Sequence, residues 1–166
     1  MYTIISGTNR PNSKTLIIAR LYERLLQERG QKVHLLSLEG LNVLVRNRDF
    51  EEVERDILIP TPRFVFISPE YNGSIPGVLK AMFDISDIER CWRGKDALLT
   101  GVSTGRAGNL RGMEHLTGIL HYLKMHVYHN KLPISVVNTL LDGQGQVRDE
   151  RTLDAVNQQL DEFLAL

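Results

Sequence analysis

The sequence predicts a doubly wound α/β domain on a five-stranded parallel sheet in the order 2-1-3-4-5. Three observations predict it. Apolar runs of strand length alternate with helix-period segments five times over. The 166 residues match one domain, residues 1–166, and contain no repeat, low-complexity tract or linker. The loops after the first, third and fourth strands are specialised in composition, and this strand order brings them to one edge of the sheet. Strands one and three are then neighbours, and the switch point between them is where open α/β sheets bind ligands.

Tyr2 to Ser6 is a short β-rich run and reads as strand one. Thr8 to Lys14 is polar, holds a proline and reads as a loop. From Thr15, Leu16, Ile18, Leu21, Tyr22 and Leu25 fall on one helix face, with a stop at Gly30. Val33 to Leu38 is strand two. Gly40 to Phe50 mixes Leu41, Val43, Leu44 and Val45 with Arg46, Asn47, Arg48 and Asp49, and reads as a loop with room for a short strand. Glu51 to Leu58 reads as a short helix stopped by Pro60 and Pro62. Arg63 to Ser68 is strand three. A furnished turn from Pro69 leads into a helix from Gly77 to about Glu89, and Cys91 to Gly94 is a connection. Asp96 to Val102 is strand four, and Ser103 to Asn109 a glycine-rich loop. Leu110, Met113, Leu116, Leu120 and Leu123 mark the next helix. Met125–Tyr128 and Leu132–Val137 together read as strand five, with a kink or short hairpin between them. Asn138 to Asp149 is a long polar loop, and Leu153, Val156, Leu160, Phe163 and Leu164 mark a terminal helix.

Composition narrows the function. Hydrophobic residues make up 42% and charged residues 24%, ordinary values for a chain able to bury one core. Twenty basic residues balance twenty acidic ones, so no electrostatic footprint for nucleic acid or an anionic membrane is present. Cys91 is the single cysteine, which rules out an intrachain disulfide and suits a reducing compartment. Met1 to Ile5 reads as a strand rather than a signal peptide, and no apolar run approaches a membrane span of about eighteen residues. The expectation is a soluble cytoplasmic protein with neither a nucleic-acid nor a membrane partner.

Each specialised loop carries chemistry. The first, Ser6 to Thr15, opens a helix whose free N–H groups and dipole favour an anion. Ser6, Thr8, Ser13 and Thr15 add hydroxyls, and Arg10 adds a planar fork suited to phosphate. Neither G-x-G-x-x-G nor G-x-x-x-x-G-K-[ST] is present. The plain alternative makes Ser13 an N-cap and Arg10 a surface charge. The third-strand turn, Ser68 to Gly77, offers the flat face of Tyr71, the amide of Asn72 and backbone amides exposed by glycine, a mixture suited to a planar heterocycle with polar edges. Two prolines, two glycines and an asparagine exceed what a packing turn needs; Glu70 reads equally as a surface carboxylate or a contact to a neighbouring subunit. Ser103 to Asn109 brings backbone amides close to a flat ligand, or is a simple turn with Asn109 as cap.

Other residues add little. His126 and His129 sit on a strand-like segment and point to opposite faces, and no acidic or cysteine partner is spaced like a metal site. His34, His115 and His121 read as surface or partly buried side chains. Cys91 lacks a C-x-x-C partner and a phosphatase loop, and Ser103 is not in a G-x-S-x-G elbow. Trp92 reads as packing or an oligomer contact.

Three motifs resemble those of the NAD(P)H-dependent FMN reductases of the flavodoxin-like fold, which include azo-, quinone- and chromate-reducing members. Ser6 to Ser13 resembles the family's G-[ST]-x-R-x-x-S phosphate loop. Pro69-Glu70-Tyr71-Asn72-Gly73-Ser74-Ile75-Pro76-Gly77-Val78-Leu79-Lys80 matches its P-E-Y-N-x-S-x-P-G-x-L-K run. Ser103 to Arg111 resembles its glycine-rich third loop. Two departures stand out: Ala81-Met82-Phe83-Asp84 replaces the usual Asn-Ala-Ile-Asp, and Gly108-Asn109 replaces a glycine pair.

The resemblance implies a three-layer αβα sandwich that holds FMN. Thr8, Arg10, Ser13 and Thr15 would hold the phosphate. Pro69, Glu70, Tyr71, Asn72 and Gly73 would line the ribityl chain and ring, and Ser103, Thr104, Gly105 and Arg106 the ring's other edge. It implies a homodimer or homotetramer with the flavin near a subunit interface. No catalytic side chain and no metal are expected: the flavin would carry hydride from NADPH or NADH to a small acceptor such as a quinone, azo compound, free flavin or metal oxyanion, in ping-pong order. Two rival readings are a flavodoxin-type FMN electron carrier without its own substrate, and a flavin-free binding module.

Overall fold

Five apolar runs enter one sheet in the computed structural model, which describes residues 1–166. The elements in chain order are β1 (Tyr2–Ser6), α1 (Lys14–Glu28), β2 (Val33–Ser37), α2 (Arg48–Val53) with a π-helical turn Glu54–Leu58, β3 (Arg63–Pro69), α3 (Gly77–Ile85), α4 (Ile88–Cys91), β4 (Asp96–Val102), α5 (Leu110–Tyr122), β5 (His126–Val127), β6 (Leu132–Ile134), a 3₁₀ turn Val137–Leu140, and α6 (Glu150–Leu164). The sheet order is β2-β1-β3-β4-β5, with β6 also on β4, and every pairing is parallel. The 2-1-3-4-5 order is therefore the predicted one. β1 sits between β2 and β3, and its last residue, Ser6, pairs with Ser37 and Ile67.

The period-two alternation of the strands sorts the core into two layers. Ile5, Phe64, Phe66 and Leu99 face α3, α4 and α5; Ile4, Val65, Ile67 and Leu98 face α1 and α6. The first layer is built around Phe64, Phe66, Phe83 and Trp92, whose ring centroids lie 5.1–6.2 Å apart. Such aromatic pairs add about 0.5–1.5 kcal/mol each beyond their buried area.

Three elements differ from expectation, each because a polar side chain intervenes. The helix expected over Gly77–Glu89 is broken at Ser86 and Asp87. Ser86 is extended, its hydroxyl donates to Phe83 O and accepts from Trp92 Nε1 (2.6 Å), and Asp87 restarts the chain as N-cap of α4. The helix expected from Glu51 begins earlier, at Arg48, because Asn47 Oδ1 accepts from Phe50 N (2.9 Å) and caps it. The fifth strand is two short segments, both parallel to β4, so the break is not a hairpin and the sheet counts six strands rather than five. A buried amide bridges that break: Gln159 Nε2 donates to Asn130 O (2.7 Å) and Leu99 O (3.0 Å), while its Oε1 accepts from Tyr22 Oη (2.6 Å). No helix is long and apolar enough to cross a membrane.

Candidate functional site

The carboxyl edge of the sheet gathers the three specialised loops. The first closes onto α1 through Ser13, whose Oγ accepts from Leu16 N (3.1 Å) and so acts as N-cap. Lys14 and Thr15, the first residues of the helix, have N–H groups without an intrahelical partner. Asn12 turns the chain with φ 53°. Thr8 is buried; it shares a 2.5 Å hydrogen bond with Tyr71 Oη and accepts from Arg10 N (3.3 Å). Its hydroxyl therefore organises the loop from beneath instead of lining the cleft.

The second loop is a tight turn. Tyr71 N donates to Ser74 O (2.9 Å) and Ser74 N to Tyr71 O (3.1 Å). Asn72 (φ 53°) and Gly73 (φ 78°) hold the two positive-φ positions that such a turn demands, which is why Asn-Gly stands there. The Tyr71 ring does not project as an open face: Arg10 Cζ lies 4.1 Å from its centroid and its hydroxyl is held by Thr8. Ser74 Oγ shares a 2.8 Å hydrogen bond with His115 Nδ1 on α5. Glu70 donates its N–H to Val102 O (3.1 Å), while its carboxylate makes no ion pair.

The third loop is seated by close backbone approach. A Cβ on Gly101 would lie 2.1 Å from Gly108 O, and one on Gly108 (φ +56°) would lie 2.5 Å from Pro133 Cβ. Asn109 takes a left-handed conformation (φ 63°), and its side chain does not cap α5; Nδ2 donates instead to Ser68 O (2.8 Å), tying the loop to the end of β3. Ser103 Oγ donates to Gly105 O (2.8 Å) and accepts from Gly108 N (2.9 Å), so this hydroxyl shapes the loop itself. Val136 N and Ser135 Oγ back it from outside by donating to Gly105 O and Arg106 O.

These loops enclose two adjoining clefts. One, of about 350 Å³, is walled by Arg10, Asn12, Ser13, Lys14, Thr15, Pro69, Glu70, Tyr71, Ser103 and Thr104, with Val137 and Asn138 closing its side. The other, of about 370 Å³, is walled by Glu70, Asn72, Gly73, Ser103, Thr104, Gly105, Arg106 and Ala107. Glu70, Ser103 and Thr104 border both, so the two form one elongated site. Twelve of the thirteen expected residues line it, and Thr8 stands behind. Expectation missed Pro11, Asn12, Lys14, Val102, Ala107, Val137 and Asn138. Asn12 and Lys14 lie inside the quoted first loop. Val137 and Asn138 carry no motif, and only their place at the carboxyl end of the fifth strand could have marked them. No group of His, Cys, Asp or Glu could hold a metal ion, and Cys91 is buried on the far side of the sheet from α1.

The donor set fits FMN. One end of the site offers cations, hydroxyls and free helix N–H groups suited to a phosphate. The other offers amide and glycine backbone suited to a flat ring with polar edges. Two buried polar atoms without partners, Ser6 Oγ and Asn109 Oδ1, belong to the residues that found the first and third loops.

Comparison with known proteins agrees. The family model described as NADPH-dependent FMN reductase matches residues 2–138. An NAD(P)H-dependent FMN reductase of Pseudomonas aeruginosa is 35% identical over 168 aligned positions, covering 94% of this chain and 89% of that protein. A quinone reductase of Escherichia coli is 36% identical over 103 positions, covering 60% of this chain and 55% of that protein. A solved flavodoxin of Pseudomonas aeruginosa, a point mutant, shares the fold with a TM-score of 0.67 and 17% identity, covering 99% of this chain and 97% of that one.

Proposed function

Since the chain belongs to the NADPH-dependent FMN reductase family, we propose that its 166 residues form one FMN-binding unit that passes electrons from NAD(P)H to a small acceptor of the quinone type. The observation that carries this reading is the single elongated cleft with phosphate chemistry at one end and ring chemistry at the other. FMN, when bound, supplies the hydride acceptor and electron donor. The chain's own residues bind and orient. Arg10, Ser13, Lys14, Thr15 and the first N–H groups of α1 would hold the phosphate. Asn72, Gly73, Gly105 and Arg106 would face the ring, and their amides and charge would stabilise negative charge on it. The relative of Escherichia coli named a quinone reductase supports a quinone as acceptor.

A homo-oligomer also belongs to this reading. A groove of about 740 Å³ runs between α3 and α5, lined by Ile75, Phe83, Ile88, Ile119, Tyr122 and Leu123, with Tyr122 78% and Ile88 42% exposed. Its rim includes Ser74, so a second copy seated there would adjoin the ring end of the cleft. Light scattering on wild type and Ile119→Asp tests this: a dimer that becomes a monomer is expected, and a monomeric wild type overturns it. A single buried thiol and a nicotinamide reductant both suit the cytoplasm, the location proposed.

The function is tested by titrating the purified protein with FMN, then adding NADPH or NADH without oxygen, then a benzoquinone. Expected are quenched flavin fluorescence, bleaching of the flavin absorbance, and turnover with parallel-line kinetics. Bleaching without turnover on any acceptor supports an electron carrier instead, a role the shared flavodoxin fold allows. A protein that neither quenches nor shifts FMN overturns the reading.

A further inference from the structure

The arginines of this chain are not spread evenly with respect to charge partners. Arg24, Arg29, Arg46, Arg48, Arg55, Arg63, Arg93 and Arg148 all sit in ion pairs. Six have no carboxylate within reach; two of those six line the cleft and a third stands beside its wall. Arg10 stands in the first loop, and Arg106 walls the ring end. Arg111, on the first turn of α5, brings its guanidinium over Gly73 of the same wall, with Nη1 3.9 Å from where a Cβ would stand. Both Arg106 and Arg111 are exposed, and the first turn of α5 holds no acidic residue. Glu114, the next carboxylate along α5, is bound to Lys131. Glu70 is the one carboxylate in the wall of the ring cleft. On a chain of zero net charge, the mouth of the ring end therefore carries two free guanidinium groups.

We propose that Arg111, assisted by Arg106, recognises the 2′-phosphate of NADPH and so sets the preference between NADPH and NADH. This rests on the reductase reading above. A ribose 2′-phosphate is a compact dianion, and a planar guanidinium presents two parallel donors that match it. The FMN phosphate is accounted for at the opposite end by Arg10 and the N-terminus of α1, so neither Arg106 nor Arg111 is needed for it, and Arg111 has no other role toward the cofactor. The nicotinamide nucleotide has to reach the ring at this mouth for hydride transfer. Arg111 acts on binding alone and touches no reacting atom.

The experiment uses FMN-loaded protein as wild type, Arg111→Ala, Arg111→Lys and Arg106→Ala, with Arg151→Ala as a charge control on α6. Calorimetry measures binding of 2′,5′-ADP and of 5′-AMP, and steady-state kinetics measures kcat/KM for NADPH and NADH. Arg111→Ala is expected to weaken 2′,5′-ADP by about tenfold or more and to lower the NADPH-to-NADH ratio to match, with Arg111→Lys between the two. The loss should shrink as salt is raised. Unchanged 2′,5′-ADP affinity together with an unchanged ratio overturns the proposal. Equal losses for NADPH and NADH overturn it as well, since they assign Arg111 to the pyrophosphate common to both. Weakened FMN binding in Arg111→Ala overturns it by making the residue a prop for the Gly73 turn. Failure of wild type to oxidise either nucleotide sinks the reductase reading instead, which separates the two failures.

Discussion

Gly101→Ala tests how the third loop is held. Gly101 lies within β4, and an added Cβ would stand 2.1 Å from Gly108 O, 3.0 Å from Asn109 Cβ and 3.1 Å from Met113 Cε. The methionine tip can swing aside. The carbonyl cannot, because Gly108 is itself pressed onto Pro133 and its N–H is held by Ser103 Oγ. Reaching even 3.0 Å requires the loop to retreat by about 0.9 Å. Overpacking of this kind costs about 1–3 kcal/mol, which for a chain of this size lowers Tm by about 2–12 °C. The retreat also carries Thr104, Gly105 and Arg106 away from the ring end, which lengthens the hydrogen bonds they would make to the ligand, each worth about 0.5–3 kcal/mol. FMN affinity, read by fluorescence quenching, should fall by about tenfold to a hundredfold. Gly105→Ala is the control: its Cβ meets nothing within 4 Å, so Tm should hold. A Gly101→Ala protein with wild-type Tm and FMN affinity would refute the reasoning that close backbone packing positions this loop.

Other expectations follow from the same geometry. Arg10→Ala should raise the Kd for FMN about tenfold to a hundredfold by removing a charge-assisted phosphate contact, with Arg10→Lys retaining part of it; equal quenching curves would remove Arg10 from the phosphate end. Arg46→Ala should destabilise by about 1–3 kcal/mol in urea, discounted because Arg46 is 43% exposed while its partner Glu54 is 3% exposed. The remaining carboxylate would keep only Asp87 N (2.6 Å) and Cys91 Sγ (3.7 Å) as partners, so Arg46→Gln with Glu54→Gln should recover part of the loss. Alkali should weaken the fold. Burial, then the Glu54 carboxylate, push the Cys91 thiol from 9.0 up to about 12, and burial raises Tyr22 above 10.0. Both folded pKa values are raised, so the contribution is complete below pH 9 and declines above it, as the unfolded chain releases protons that the folded chain keeps. The unfolding free energy from urea titration should drop between pH 8 and pH 10.5, by up to about 1.4 kcal/mol per pH unit for each group, and an unchanged free energy contradicts it.

Much of this molecule was legible before its structure. β1 and β4 run over the residues their apolar runs marked, because short apolar stretches between turn signals leave few alternatives. Pro69 to Lys80 announced its turn, since Asn72-Gly73 is a local demand for positive φ. What stayed hidden depended on distant partners. Ser86 ends α3 because Trp92 reaches back to it and Glu54 waits for Asp87 N, and neither contact shows in a helical period. The split of the fifth strand is sustained by Gln159, about thirty residues downstream of Asn130. At the site, Tyr71 read as a face for a ring, yet Arg10 covers that face and Thr8 holds its tip. Two residues more than sixty positions away decide its role.

Tyr71 has a consequence of its own. It is pinned at its backbone by Ser74 and at its hydroxyl by Thr8, so it works as a strut between the anion end and the ring end of the cleft. A strut of fixed length makes the cleft a ruler. On the proposed function it would measure the reach between the FMN phosphate and its ring, and a molecule whose spacer is shorter or longer would engage one end but not both. Selectivity for one flavin among several would then be a matter of length, written into a phenol that walls the cleft and is held at its tip by Thr8.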